Sequence, residues 1–105
     1  MNKNKLIDEL TNVLSASLRH KIGSIVNESE LYAQKYAKDA EILLKEAGKI
    51  ASELHWNLND KIIIKKELEK KLRSELEKKT FLNEKKFEFV DKEIEFALRL
   101  MGLRE

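Results

Sequence analysis

Residues 18–24, which read LRHKIGS, place an imidazole in a setting suited to phosphoryl chemistry. His20 lies within a helical pattern of apolar residues, and an exposed imidazole on a rigid helix can accept a phosphoryl group. The adjacent cations Arg19 and Lys21 are suited to neutralising the phosphate charge, and Gly23 leaves room for a docking partner. The alternative is a surface histidine beside two ordinary basic residues.

The same stretch resembles two phosphohistidine motifs. One is the H-box of histidine-kinase dimerisation domains, where an acid, an apolar residue and a basic residue follow the histidine; here Lys21 stands in place of the acid. The other is the motif of histidine-phosphotransfer domains, but the lysine expected between Ile22 and Gly23 is missing. The resemblance implies a phosphotransfer domain using His20. Without a nucleotide-binding glycine loop, a complete kinase is excluded.

Other catalytic chemistries lack the residues that they need. The sequence has no cysteine, so it has no thiol nucleophile and no thiolate metal ligand. Glu53 and His55 lie two positions apart, on different helix faces, unlike the Glu-x-x-His spacing of di-iron bundles. The serines have no histidine and acid at a recognisable motif spacing. We therefore predict no enzyme, no metal, no cofactor and no small-molecule substrate.

A basic segment at 61–79 offers a candidate anion-binding surface, with eight basic and four acidic residues and a net charge of +4. Its candidate residues are Lys61, Lys65, Lys66, Lys70, Lys71 and Arg73. Such a helix can bind phosphates by charge alone, with an affinity that falls with salt. Since no aromatic residue within it can stack on bases, we keep weak nucleic-acid binding as an alternative function.

The composition predicts helices to hold these residues. Hydrophobic residues make up 42% and charged residues 38%, there is no proline, and only three glycines supply flexible turns. A chain of 105 residues suits a single domain, 1–105. No apolar run, 62–64 included, is longer than three residues and no signal peptide is evident, so we expect no membrane contact and a cytoplasmic location.

Apolar residues at steps of three and four predict a first helix over 6–26, with Ile25 on its inner face. Asn27 and Glu30 have the spacing of a capping box, which predicts a turn and a second helix. The alternative is one uninterrupted helix through Asn27, because no glycine or proline forces a break.

The second segment has the most regular apolar pattern, a coiled-coil-like seam that contains many alanines. The seam residues are Ala33, Tyr36, Ala40, Leu43, Ala47, Ile50 and Leu54. Because alanines allow close approach, we expect this helix to be central and to end near 55–58. Trp56 is expected to cover the end of the core with its indole N–H bonded near the turn; the alternative is an exposed anchor. The candidate interaction residues are Tyr36, Leu43, Ile50, Leu54 and Trp56.

Two further helices complete the pattern. The third, about 61–79 and capped by Asn59 or Asp60, has a narrow apolar stripe, which indicates a position at the outside edge. The fourth begins at Asn83, and Gly102 is expected to end it as a C′ glycine.

These elements predict an all-α, antiparallel up-down bundle of about four helices. The alternative architecture is a long helical hairpin that completes its core by dimerising. The predicted function is a non-catalytic helical module that binds another protein or itself as a homo-oligomer, through the seam or through an incompletely covered apolar face.

Overall fold

A computed structural model of the chain describes residues 2–27 and 29–104. They form helices α1 (Lys3–Val26), α2 (Glu30–Ala51), α3 (Leu58–Lys78) and α4 (Val90–Leu100), with a 3-10 helix (Glu84–Phe89) before α4. No strand occurs in these ranges, and the predicted all-α bundle is confirmed. The molecule measures 41 × 21 × 20 Å and is elongated.

Helix α1 is the centre of the bundle and contacts α2, α3, α4 and the 3-10 helix. Asn2 caps it by accepting a hydrogen bond from the Asn4 backbone N–H. Its predicted stripe is confirmed over most of its length, with Leu6, Leu10, Leu14, Leu18 and Ile22 buried. The prediction for Ile25 is wrong: this side chain is 45% exposed, because no helix covers it.

Helix α2 lies at the edge of the bundle, so the prediction of a central second helix is wrong. Within the described ranges, no Cα atom of α2 lies within 8 Å of α3 or α4. The buried seam residues Ala40 and Ala47 let α2 approach α1 closely but bury little area each. A buried hydrogen bond of 2.7 Å, from Ser17 Oγ to the Ala40 carbonyl, joins the two helices.

The turn between α1 and α2 is confirmed, and the uninterrupted helix is excluded. The N-cap of α2 is Ser29 rather than Asn27. The Asn27 side chain instead accepts a hydrogen bond from the Ser29 backbone N–H, at 2.8 Å, and so closes the turn locally.

Helix α2 ends at Ala51, before the predicted 55–58. The chain then turns back, and the Trp56 indole N–H donates to the Ala51 carbonyl at 2.8 Å. Leu54 and Trp56 are half-buried against the core, as predicted for Trp56. The indole thus covers the last turn of the helix and satisfies one of its terminal carbonyls.

Helix α3 begins earlier than predicted because Asn57, and not Asn59 or Asp60, is its N-cap. The Asn57 side chain accepts from the Asp60 N–H while the Asp60 carboxylate accepts from the Asn57 N–H, which forms a capping box. The predicted stripe of Ile64, Leu68, Leu72 and Leu76 is fully buried. Since α3 packs on α1, α4 and the 3-10 helix, its predicted edge position is wrong.

The first residues of the predicted fourth helix form a 3-10 helix and not an α-helix. Asn83 is the N-cap as expected, but residues 84–89 form the 3-10 helix and α4 follows at Val90. The 3-10 winding accompanies the burial of Lys86, whose ammonium donates to the Lys79 carbonyl at the end of α3, at 2.8 Å.

The predicted C′ glycine is confirmed. Gly102 has a φ of 70°, and the Leu103 N–H donates to the Leu98 carbonyl at 2.8 Å. The Gly102 N–H bonds to the Arg99 carbonyl, which completes a Schellman motif. Leu103 is thereby turned into the core, where it is 1% exposed.

Candidate functional site

An apolar groove of about 280 Å³ has α1 as its floor and α2 and α4 as its walls. We call it the α2–α4 groove. Its lining residues are Ser17, Leu18, Lys21, Ser24, Ile25, Ala37, Ala40, Glu41, Leu44, Phe96 and Ala97. Two large side chains stand exposed in it, Phe96 at 47% and Ile25 at 45%. The groove is therefore apolar, concave and uncovered.

The groove exists because α2 and α4 both pack on α1 while their Cα atoms stay more than 8 Å apart. Small residues on the α2 wall, Ala37 and Ala40, keep it wide. The two walls come closer together just after α4 ends. The Met101 side chain there lies beside Gly48 of α2, because a Cβ built on Gly48 would be 3.8 Å from the Met101 Cε. One end of the groove is thus narrowed, and the part near Ile25 is open.

One ion pair is built into the groove wall. Lys21 Nζ lies 2.6 Å from Glu93 Oε1, and the Glu93 side chain is 7% exposed. The same ammonium lies 4.2 Å from the centroid of the Phe96 ring, a cation–π contact. The Glu93 oxygen has this ion pair but no aligned hydrogen bond within the described residues. The pair fixes the Phe96 ring and adds no net charge to the wall.

The predicted interaction residues lie outside the groove and are used mainly within the bundle. Tyr36 packs edge-on against His20, and Ile50 is 6% exposed within the core. Leu54 and Trp56 pack against that core. Leu43 is half-buried. Most of the seam is thus packed against α1.

The sequence reasoning missed Phe96 and misplaced Ile25. Phe96 lies off the buried stripe of α4, which contains Val90, Ile94, Ala97 and Leu98, so the apolar pattern gave no reason to single it out. A usable signal was its separation from Leu100 by one helical turn, which gives two exposed apolar residues on one face. The spacing of these two residues does not reveal which other helix lies beside them.

The basic segment does not form a continuous unpaired surface. Four of its cations are in ion pairs: Lys65 with Glu95 at 2.9 Å, Lys71 with Asp8 at 2.8 Å, Arg73 with both Glu69 and Asp91 at 3.4 Å, and Lys78 with Glu75 at 3.8 Å. Of the other predicted residues, Lys61 is half-buried while Lys66 and Lys70 are exposed.

A polar cleft of about 470 Å³ lies between α1 and α3. Its cations are also partly compensated, because Lys71 is paired with Asp8 and hydrogen-bonded to Thr11 at 2.7 Å. Arg19 Nε lies 3.8 Å from Glu75 Oε2. The arrangement stabilises the packing of α3 on α1, and we assign no ligand to it.

His20 is half-buried beside α2 and is not a fully exposed imidazole on the helix surface. Its ring centroid lies 5.9 Å from that of Tyr36, and Nδ1 lies 2.7 Å from the Ala16 carbonyl oxygen. Since a carbonyl only accepts, Nδ1 carries the proton in this contact. The recess beside the ring measures about 10 Å³, too little for a phosphoryl group without movement of its neighbours.

Gly23 serves helix packing beside His20. A Cβ built at this position would lie 3.2 Å from Tyr36 Cδ2, so the absence of a side chain admits the tyrosine ring. The spacing that resembles a phosphohistidine motif therefore has a structural use in this bundle.

Within residues 2–27 and 29–104, no group of three His, Asp or Glu side chains is arranged to hold a metal ion. No helix in the described part of the chain is both long and apolar enough to cross a membrane.

The fold and the groove define this chain as a small all-α helical-bundle protein with an uncovered apolar groove. Comparison with protein-family models, curated proteins and solved structures finds no match.

Proposed function

We propose that this protein is a non-catalytic interaction module that receives a helix of a protein partner in the α2–α4 groove. The observation that carries the proposal is the exposure of Phe96 and Ile25 across an apolar, concave floor. Aromatic anchors at the centre of an interface are among the residues that contribute most to binding. An amphipathic helix laid in an apolar groove is a common recognition mode.

The groove differs from the other exposed apolar residues of the molecule. Leu31, Leu58 and Phe81 are 75%, 61% and 69% exposed, but they lie at helix starts or in a connection. Single exposed apolar side chains are ordinary on soluble proteins. Phe96 and Ile25 instead line one depression together with Leu44. A ligand there would cover several apolar side chains at once.

The proposal is tested with an uncharged amphipathic peptide of about 18 residues, long enough for about five helical turns. Its leucines stand at i, i+3 and i+7 and glutamines occupy the outer face. In an NMR titration we expect backbone amide shifts at the groove lining. The Phe96→Glu variant should lose binding, because it replaces an apolar anchor of the groove with a charged side chain that a partner helix would have to desolvate.

Leu58→Glu is the matched control, since it places the same charge on an exposed apolar position at the start of α3. We expect this variant to bind the peptide as the wild type does, and circular dichroism to show both variants folded. Binding that Phe96→Glu leaves intact, or shifts that map elsewhere, would contradict the proposed groove.

A further inference from the structure

The floor and walls of the α2–α4 groove carry little net charge. Lys21 and Glu93 neutralise each other at 2.6 Å. The remaining ionisable lining residue is Glu41, which is exposed on α2. The electrostatic character of the site is therefore set by the residues that border it.

Two lysines border the groove along α2. Lys38 and Lys45 are exposed and lie three residues before and four residues after Glu41, on neighbouring turns of the same edge. Neither is within ion-pair distance of a carboxylate in the described ranges. At 100° per residue, Asp39 and Glu46 fall on the opposite edge of α2, away from the groove. The outward side of α2 next to the groove thus carries Lys38 and Lys45 on either side of Glu41.

Two further cations border the groove along α4. Lys92 lies one turn before Phe96 and Arg99 one turn after it, and both are exposed. Arg99 also lies near enough to Glu95 to help lower the pKa of that carboxyl group, but Glu95 is held mainly by Lys65 on the α3 side. Four exposed cations consequently border the groove, and Glu41 is the one exposed carboxylate among its lining residues.

The length of the groove sets the size of its occupant. Its α2 wall runs from Ala37 to Leu44 and its floor from Ser17 to Ile25. At 1.5 Å per residue, seven to eight residues span about 11 Å, or about two helical turns. Such a groove accepts apolar side chains at i, i+3 or i+4, and i+7 of one helix.

A second copy of this chain fits the groove poorly. A two-fold contact through the exposed face of α4 would place Lys92 and Arg99 of one molecule against the same residues of the other. Like charges brought together across an interface are unfavourable. The basic border favours a partner that supplies the opposite charge.

From these observations we propose that the partner of the α2–α4 groove is an acidic amphipathic helix: it inserts an apolar stripe against Phe96 and Ile25 while its flanking carboxylates face Lys38, Lys45, Lys92 and Arg99. This inference rests on the proposed function and specifies the chemistry of its ligand. The apolar groove supplies affinity, and the basic border supplies specificity and speed of encounter.

The test uses three labelled peptides with the same leucine stripe and with glutamate, glutamine or lysine at the flanking positions. By fluorescence anisotropy we expect the glutamate peptide to bind about tenfold more tightly than the lysine peptide, a preference that shrinks as salt screens the charges. Lys38→Glu with Lys45→Glu should abolish or reverse the preference. The matched control, Lys66→Glu with Lys70→Glu on α3, should keep it.

The outcomes separate this inference from the function on which it rests. Equal binding of all three peptides, lost in Phe96→Glu, would overturn the acidic partner and leave groove docking intact. A light-scattering mass of a dimer that Phe96→Glu converts to a monomer would identify a second copy as the occupant instead. No binding of any peptide to a monomeric protein would overturn both proposals.

Discussion

Individual carboxylates of this protein join its helices through cations on neighbouring elements. Lys71 on α3 donates to Asp8 on α1 at 2.8 Å and holds the pKa of that carboxyl group below its ordinary value. Lys65 on α3 lowers the pKa of Glu95 on α4 in the same way. Two residues of the predicted basic surface therefore have a structural role between helices.

Asp60 combines helix capping with such a contact. The Asn57 backbone N–H is the main cause that lowers the Asp60 pKa below 3.8, and Lys3 at 3.1 Å adds to it. A carboxyl group whose pKa is lowered on folding stabilises the folded state above its unfolded pKa. That stabilisation is lost as pH falls through the folded pKa.

We therefore expect Asp60→Asn, which keeps the shape of the side chain but removes its charge, to be less stable than the wild type near neutral pH. The difference should be constant above about pH 5 and should shrink as the pH falls below 3.8. Urea unfolding across this range measures it. Asp39→Asn, at a residue outside the observed ion pairs, is the control; a similar pH-dependent difference there would contradict the role of Asp60.

At the scale of the element, α2 is a helix with one partner. Its seam has the predicted register, but of the seam residues only Ala40, Ala47 and Ile50 are buried, while Leu43 is half-buried. The outward side carries Ile42, which is 56% exposed. Ile50, Leu43 and Ile42 therefore provide a buried, a half-buried and an exposed position on the same helix.

We expect Ile50→Asp to lower the free energy of unfolding by several kcal/mol, because it buries an unpaired charge. Leu43→Asp, at a position with access to water, should cost about 1 kcal/mol. Ile42→Asp on the outer face is the control and should change stability little. Urea unfolding followed by circular dichroism gives the order. If Leu43→Asp lowered the free energy of unfolding as much as Ile50→Asp does, Leu43 would be more deeply buried in solution than it is in the single chain.

At the scale of the whole molecule, the formal net charge of +2 is spread over several faces. In the most basic segment, 61–79, part of the positive charge is neutralised by ion pairs that join α3 to its neighbours. What remains for an external anion is carried by exposed side chains such as Lys66 and Lys70.

For nucleic acid we expect weak binding without sequence preference that falls steeply with added salt. Lys66→Glu with Lys70→Glu should reduce it further, because neither side chain is in an observed ion pair. Anisotropy of labelled single-stranded and duplex DNA at two salt concentrations measures the effect. Tight binding that persists at high salt, or a clear sequence preference, would contradict this expectation and favour the nucleic-acid alternative.

The sequence by itself determined the local features of this fold. Periodic apolar residues located the helices, and the roles of Asn83 and Gly102 followed from their side chains and backbone preferences. The N–H of Trp56 was placed correctly because its partner lies within the same turn. Such interactions join residues close in the chain, so their spacing is sufficient to predict them.

The tertiary structure alone decided which helix is central and which face stays uncovered. A stripe of apolar residues fixes the side that a helix buries but not the helix that it meets, since burial of apolar surface has no preferred partner. The pattern of α2 was the most regular, yet its alanines bury little area, and α1 took the central place. Phe96 and Ile25 line one groove because α2 and α4 pack on α1 with their backbones more than 8 Å apart.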